Sequence, residues 1–176
     1  FIAGKMLSRL TPQKILMISM GLLVVTGTIL AFLPANTPFI VFLIIGVFLG
    51  TGFGITVTGS TIISQSVVSL KHIGMATSFN TLIRSLSQSI FISIFGIVMN
   101  QSLQNGIAQH SDKHVTVDMF NKMINPHTVD ELPNNLVPIM HNIYHTGLRN
   151  IFIVAVICMI LAFVYNLKHQ DQGVVQ

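Results

Sequence analysis

Residues 15–70 have the sequence ILMISMGLLVVTGTILAFLPANTPFIVFLIIGVFLGTGFGITVTGSTIISQSVVSL, which contains no Asp, Glu, Lys or Arg. A soluble stretch of that length would carry about 14 charged residues. The whole chain has 176 residues, of which 51% are hydrophobic and 8% charged. Because a water-facing surface cannot be built with so little charge, the composition excludes a soluble globular domain, a nucleic-acid-binding protein and a disordered chain. The sequence therefore predicts a membrane protein.

Four segments are long and apolar enough to cross a bilayer. The hydrocarbon core is about 30 Å thick and a helix rises about 1.5 Å per residue, so a span needs about 20 residues. The predicted spans are residues 15–33, 39–60, 78–100 and 148–167, and the second is expected to continue as helix toward Val68. None has the alternating polar pattern of a barrel strand. The fold class predicted is an all-α membrane protein with four transmembrane helices.

The charged residues predict which way the spans face. Cations precede the first span, lie between the second and third, and follow the fourth: Lys5, Arg9, Lys14, Lys71 and Lys168. The positive-inside rule then makes residues 1–14, 61–77 and 168–176 cytoplasmic. It makes residues 101–147 an extracellular loop, in which Lys113 and Lys122 are outnumbered by four acidic residues, and Arg149 counts against this orientation. We expect a multi-pass protein of the plasma membrane with both ends of the chain in the cytoplasm.

Small residues form one stripe on each of two spans. In the second span they recur every four residues, and Gly52 and Gly59 lie nearby. The residues of the two stripes are Gly46, Gly50, Gly54 and Thr58, then Ser85, Ser89, Ser93 and Gly96. Small residues one turn apart let membrane helices approach closely. The stripes fit either a static seam between helices or a sliding, cavity-lining surface of a transporter, and the spacing alone leaves both open.

Arg84 is the one charged residue inside the first three predicted spans. If the third span ends at Asn100, Arg84 lies about 4.5 Å inside the inner boundary. Its side chain can then reach the interface, or it can form a gating ion pair. No Asp or Glu lies in any span. Because a proton relay needs titratable groups at depth, these four spans alone cannot couple transport to protons.

The long loop between the third and fourth spans contains most of the histidines. His110 and His114, and likewise His141 and His145, are four residues apart, and His127 lies between the pairs. Such pairs bind zinc when a third ligand converges on them. The loop is rich in Asn, Pro and Thr and lacks Cys, which favours a solvated loop with a short helix over residues 117–124. We predict no metal site, no cofactor and no catalytic residues, because the sequence has no phosphate loop, nucleophile elbow or intramembrane carboxylate pair.

Three stretches carry a family resemblance. They are Gly-Lys-Met-Leu-Ser-Arg at residues 4–9, Gly-Thr-Gly-Phe-Gly at 50–54, and Gly-Met-Ala-Thr-Ser at 74–78 with Arg84 after it. In this order they resemble the C-terminal part of a multidrug-type proton antiporter of the major facilitator superfamily, in its fourteen-span branch. Gly4 and Arg9 match that family's cytoplasmic signature loop. Serine replaces the usual acid in that loop at position 8.

The resemblance implies an architecture and a function. The four spans would be the last four of a six-helix C-terminal half, and the chain would be a piece of a longer transporter whose N-terminal portion is its partner. The implied activity is proton-coupled efflux of drugs or other small lipophilic substrates by alternating access. Two alternatives stay open: a four-helix membrane subunit or anchor that packs a partner without transport, and the same fold moving a specific metabolite or lipid.

Overall fold

The chain is an all-α membrane protein in its computed structural model. The structure describes residues 11–34, 37–110, 115–124, 128, 132–133 and 135–170. Within these residues there are five α-helices and one 3-10 turn, Leu70–His72, between the second and third helices. The helices are α1 (Pro12–Ala31), α2 (Phe39–Ser66), α3 (Ile73–Gln109), α4 (Val117–Ile124) and α5 (Val137–Gln170). All of them except α4 are long and apolar enough to cross a membrane.

Prolines mark the ends of the first two helices. Pro12 occupies the first position of α1, where its missing N–H needs no partner. Pro38 immediately precedes Phe39, the first residue of α2. Between them α1 ends at Ala31, so the prediction of helix through Leu33 is wrong by two residues. The backbone N–H of Phe32 still bonds back to Thr28 and Ile29, which closes the last turn.

The predicted loop over residues 101–147 is much shorter in the structure. α3 continues to Gln109 and α5 already begins at Val137, so both helices extend past the predicted spans. At about 1.5 Å per residue, their 37 and 34 residues give lengths of about 55 and 51 Å, far more than a bilayer core needs. The short helix expected over residues 117–124 is present as α4. Similarly, the expected connection over residues 61–77 is reduced, since α2 runs to Ser66 and α3 starts at Ile73.

Each long helix packs against particular neighbours. α1 lies between α2 and α5, and α3 packs on α5 and on the end of α2. We call the end that carries Lys14, Lys71 and Lys168 the basic end. The opposite end, which carries α4 and the turn after α1, is the loop end.

A cluster of buried apolar side chains lies at the loop end. Six buried side chains form a hydrophobic cluster, which we call the cap core: Val115, Phe120, Leu132, Leu136, Met140 and Ile143. They come from α4, from the segments that flank it and from the start of α5, and Leu103 and Ile107 of α3 pack against them. The prediction of a solvated loop is therefore wrong here, because the projecting helix ends and α4 bury their apolar faces together.

Candidate functional site

The α1–α2 seam is built on Gly52 and Gly59. A Cβ placed on Gly52 would lie 3.1 Å from the side chain of Leu23, and one on Gly59 would lie 3.7 Å from Leu16. Beside them, the hydroxyl groups of Ser19 and Thr56 hydrogen-bond at 2.9 Å. Both glycines are buried. The close approach of the two helices thus uses the face of α2 that carries Gly52.

The α1–α5 seam is built on Gly27. A Cβ on this buried residue would lie 2.9 Å from Met159 Cε and 3.2 Å from Val156 Cγ2. Toward the basic end, Asn166 Nδ2 donates to Met20 Sδ at 3.4 Å. Gly27 could not be singled out from the sequence, since it belongs to no stripe of small residues.

α3 is held at its two ends by different neighbours. At the basic end, Gln65 Nε2 of α2 donates to Thr77 Oγ1 at 2.8 Å, and Asn80 Nδ2 donates to Thr61 Oγ1 at 3.2 Å.

At the loop end, α3 packs on α5. Asn150 Nδ2 donates to Ser102 Oγ at 3.0 Å. A Cβ on Gly147 would lie 2.6 Å from Met99 Sδ, and Gly106 is in close contact with Ile143. Between these two attachments, the middle of α3 stands apart from the other helices. No residue of its spanning window is buried.

The glycine stripe of α2 has no partner in the described chain. A Cβ placed on Gly46, Gly50 or Gly54 meets nothing within 4 Å. Gly52 and Gly59, the two glycines of this helix outside the stripe, are the ones that sit in the seam with α1. The described helices therefore form no seam along this glycine stripe. Contact between the stripe and helices outside the described chain stays a prediction.

The serine stripe of α3 is also without a partner helix in the described part of the chain. Ser85, Ser89 and Ser93 are exposed, and a Cβ on Gly96 would meet nothing within 4 Å. The Ser89 and Ser93 hydroxyl groups donate to carbonyls one turn back in the same helix, each at 3.1 Å. At 100° per residue, this stripe lies far from the face that carries Thr77, Asn80 and Ser102. It points away from both α2 and α5.

Arg84 lies toward the basic end of the membrane-spanning helices. The register set by the α2–α3 hydrogen bonds puts it level with Val57 and Thr58, about 28 Å along α2 from Phe39. Side chains lean toward the N-terminus of their helix, so Arg84 leans toward the basic end. This geometry favours reach to the interface over a deeply buried charge. Any acid that pairs with it must come from outside the four long helices, since these contain no Asp or Glu.

A groove runs beside α1, between α2 and α5. It has a volume of about 570 Å³, and we call it the central groove. Its lining is apolar except for the hydroxyl group of Thr56. The lining residues are Met20, Leu23, Leu49, Gly50, Phe53, Thr56, Met159 and Ala162. Of the three glycines in the stripe, Gly50 lines the central groove, and Gly46 and Gly54 do not.

Four α3 side chains lie in a row on one side of that helix, and none of them lines the central groove. Arg84, Gln88, Phe91 and Phe95 recur at intervals of four, three and four residues, which keeps them on one side of the helix. That side is the one that contacts α2 at the basic end and α5 at the loop end. The Phe91 and Phe95 rings pack together with centroids 5.9 Å apart. By register, Gln88 is level with Phe53 of the groove, and Arg84 lies one turn nearer the basic end.

Two of the histidines that the structure describes hydrogen-bond to backbone carbonyls. His110 Nδ1 donates to the Gly106 carbonyl at 2.9 Å, and His145 Nε2 donates to the Leu33 carbonyl at 3.1 Å. His141 is exposed. Among the described residues, no three His, Cys, Asp or Glu side chains are grouped to hold a metal ion. His114 and His127 lie outside the described residues.

The signature-loop residues Gly4 and Arg9 also lie outside the described part of the chain. No family model, curated protein sequence or solved structure matches this chain.

Proposed function

We propose that these four helices belong to a secondary active transporter that exports small, mostly lipophilic compounds by alternating access. One observation carries the proposal. The middle of α3 is polar on two faces and buried on none, with Arg84 and Gln88 on one face and a row of serines on another. Lipid cannot satisfy a side-chain amide or a guanidinium group at depth, so such faces belong against protein or a water-filled pathway.

The remaining features of the proposal come from the sequence. The resemblance to the major facilitator superfamily supplies the architecture, in which further helices of an N-terminal portion cover α2 and α3. The excess of Lys at the basic end supports a cytoplasmic location for that end, in the plasma membrane. Since the four long helices contain no Asp or Glu, proton coupling would depend on carboxylates that other helices provide.

Dye efflux tests the proposal. The complete reading frame that encodes these residues is expressed in a host without its own efflux pumps, and the cells are loaded with a lipophilic fluorescent dye. We expect energised cells to lose the dye faster than cells with empty vector, and a protonophore to abolish the difference. Unchanged dye retention together with the absence of substrate-dependent proton flux would refute efflux and favour the membrane-anchor alternative.

A matched pair of groove variants ties the efflux to this site. Gly50→Leu places a bulky side chain in the central groove, and Leu49→Ile conserves the volume of a neighbouring wall residue. We expect the first to reduce efflux at least about tenfold and the second to change it less than about twofold, with equal amounts of both proteins in the membrane. Equal effects of the two substitutions would show that efflux does not depend on the shape of the central groove.

A further inference from the structure

We propose that a groove at the basic end, between the end of α2 and the start of α3, binds one anionic phospholipid. The headgroup lies at Lys71 and His72, and an acyl chain follows α3. The inference goes beyond the proposed function, since this ligand comes from the bilayer and is not the exported compound. Its binding can be measured without transport, so failure of the efflux proposal would leave it standing.

The groove, which we call the basic-end groove, has a volume of about 560 Å³. That value lies within the range of about 300–1,000 Å³ typical of small-molecule sites. Its lining comes from α2, from the connection after it and from the first three turns of α3, and none of its lining residues lines the central groove. The hydrogen bonds of Gln65 with Thr77 and of Asn80 with Thr61 join α2 to α3 here. Specific polar contacts thus set the distance between its two walls.

The basic-end groove extends to the depth of one lipid leaflet. His72 and Ile83 are both lining residues, and they are eleven positions apart. At about 1.5 Å per residue this gives about 16 Å, close to half of a hydrocarbon core of about 30 Å. Between these positions, the lining residues Met75 and Phe79 are 67% and 63% exposed, so the groove is open along its side. An acyl chain can therefore enter it from the bilayer and follow its whole depth.

Positive charge at the basic end of this groove selects for an acidic headgroup. Lys71 is exposed and precedes His72 in the 3-10 turn, and neither side chain has a partner within the described part of the chain. His72 is also the N-cap of α3, whose first turn contains no acidic residue, so the helix dipole adds to the same charge. Basic pockets between membrane helices bind anionic headgroups. A zwitterionic lipid would gain less from this charge.

The basic-end groove lies on a different face of α3 from the serine stripe. Phe79 of the groove and Ser85 of the stripe are six residues apart, which places them about 120° apart around the helix. The proposed function expects further helices on the stripe. A protein segment in the groove would have to supply an apolar filling and an acid for Lys71. An anionic phospholipid supplies both, and the bilayer holds it beside the groove.

Quenching of a single tryptophan tests the inference. The chain contains no Trp, so Phe79→Trp places one reporter in the groove. Leu82→Trp is the matched control, because this position is also exposed on α3 but does not line the groove. Each 176-residue variant is reconstituted in phosphatidylcholine bilayers that contain a minor fraction of acyl-brominated lipid, either phosphatidylglycerol or phosphatidylcholine.

The ratio of quenching by the two brominated lipids measures the preference for the anionic one. One lysine near an anionic headgroup contributes about 1 kcal/mol, so we expect a preference of about fivefold at Phe79→Trp and less than about twofold at Leu82→Trp. The same preference at both positions would overturn the proposal, since the anionic lipid would then only surround the whole helix.

Charge variants in the Phe79→Trp background locate the headgroup. Lys71→Gln is expected to reduce the preference for phosphatidylglycerol to less than about twofold. Lys168→Gln is the matched control, since this exposed lysine is at the same end, on α5, and does not line the groove. It should leave the preference unchanged. Equal losses in the two variants would assign the preference to the general charge of the basic end and refute the site.

Three further results separate the phospholipid from other occupants. Loss of the preference on addition of water-soluble glycerol phosphate would mean that the groove binds a free phosphate ester, and the lipid assignment would be wrong. Quenching of Leu82→Trp without quenching of Phe79→Trp would mean that a segment of the protein fills the groove, which also overturns the proposal. A Lys71-dependent preference without any dye efflux would support this site and refute the transporter.

Discussion

The cap core and the middle of α3 use the same kinds of residue in opposite ways. In the cap core, Phe120 and Met140 are almost completely buried, at 2% and 0% exposure. In the middle of α3, Ile90 and Ile92 are exposed, and no residue of the spanning window is buried. The first region projects beyond the spans and the second lies within them.

The difference follows from the solvent that each region meets. The hydrophobic effect operates in water, so apolar side chains that project beyond the bilayer must pack on one another. Within the bilayer, lipid tails solvate apolar side chains and exposure of Ile90 costs nothing. There the informative residues are polar ones such as Gln88, whose amide has no hydrogen-bond partner among the described residues. Exposure therefore has opposite meanings in the two regions: burial marks the cap as a packed unit, and the exposed polar faces of α3 are surfaces on which a partner is expected.

The largest effect is expected in the cap core. Phe120→Ala removes a buried ring and should lower the free energy of unfolding of the cap by about 3–5 kcal/mol. Val117→Ala, on the exposed side of the same helix, should change it by less than about 0.5 kcal/mol. Hydrogen exchange of the amides in α4 and at the start of α5 measures both. Equal protection in the two variants would contradict the cap core and favour the solvated loop that the sequence predicts within residues 101–147.

A medium effect is expected at the α1–α5 seam. Gly27→Leu must displace Met159 and Val156 and should destabilise the chain in detergent by about 1–3 kcal/mol. Gly46→Leu faces open space and should be silent in the same equilibrium unfolding assay. A larger effect for Gly46→Leu would mean that the glycine stripe, and not the described seam, is where helices meet.

The smallest effect is expected from a polar contact between spans. A double-mutant cycle of Asn150→Ala and Ser102→Ala should give a coupling energy of about 0.6 kcal/mol, typical of hydrogen bonds between membrane helices. The control cycle pairs Asn150→Ala with Ser89→Ala and should give no coupling, since the Ser89 hydroxyl group donates to the Ser85 carbonyl of its own helix. Zero coupling in the cycle would indicate that α3 and α5 are not in contact at the loop end.

The sequence predicted the membrane class, the four spans and α4, because long apolar runs and a short periodic segment are local patterns. It did not predict which glycines pack. Gly50 and Gly52 are two residues apart and face nearly opposite sides of α2, and only the position of α1 decides between them. Gly27 and Gly147 each allow a close helix contact at a single position, and neither belongs to a repeat of small residues that would identify it in the sequence. The sequence did not predict the cap core, because its apolar residues are distributed over three short segments that are separated by Asn and Pro.

The accessibility of two neighbouring positions on α3 tests the central claim most directly. Gln88→Cys and Ile90→Cys, each in a Cys158→Ser background, are spin-labelled in bilayers of the complete protein, and their collision rates with oxygen and with a water-soluble nickel chelate are measured. We expect the Ile90 label to collide preferentially with oxygen, as in lipid, and the Gln88 label to be shielded from oxygen and more accessible to nickel. The same oxygen-rich, nickel-poor profile at both positions would place the whole of α3 in lipid and contradict this account.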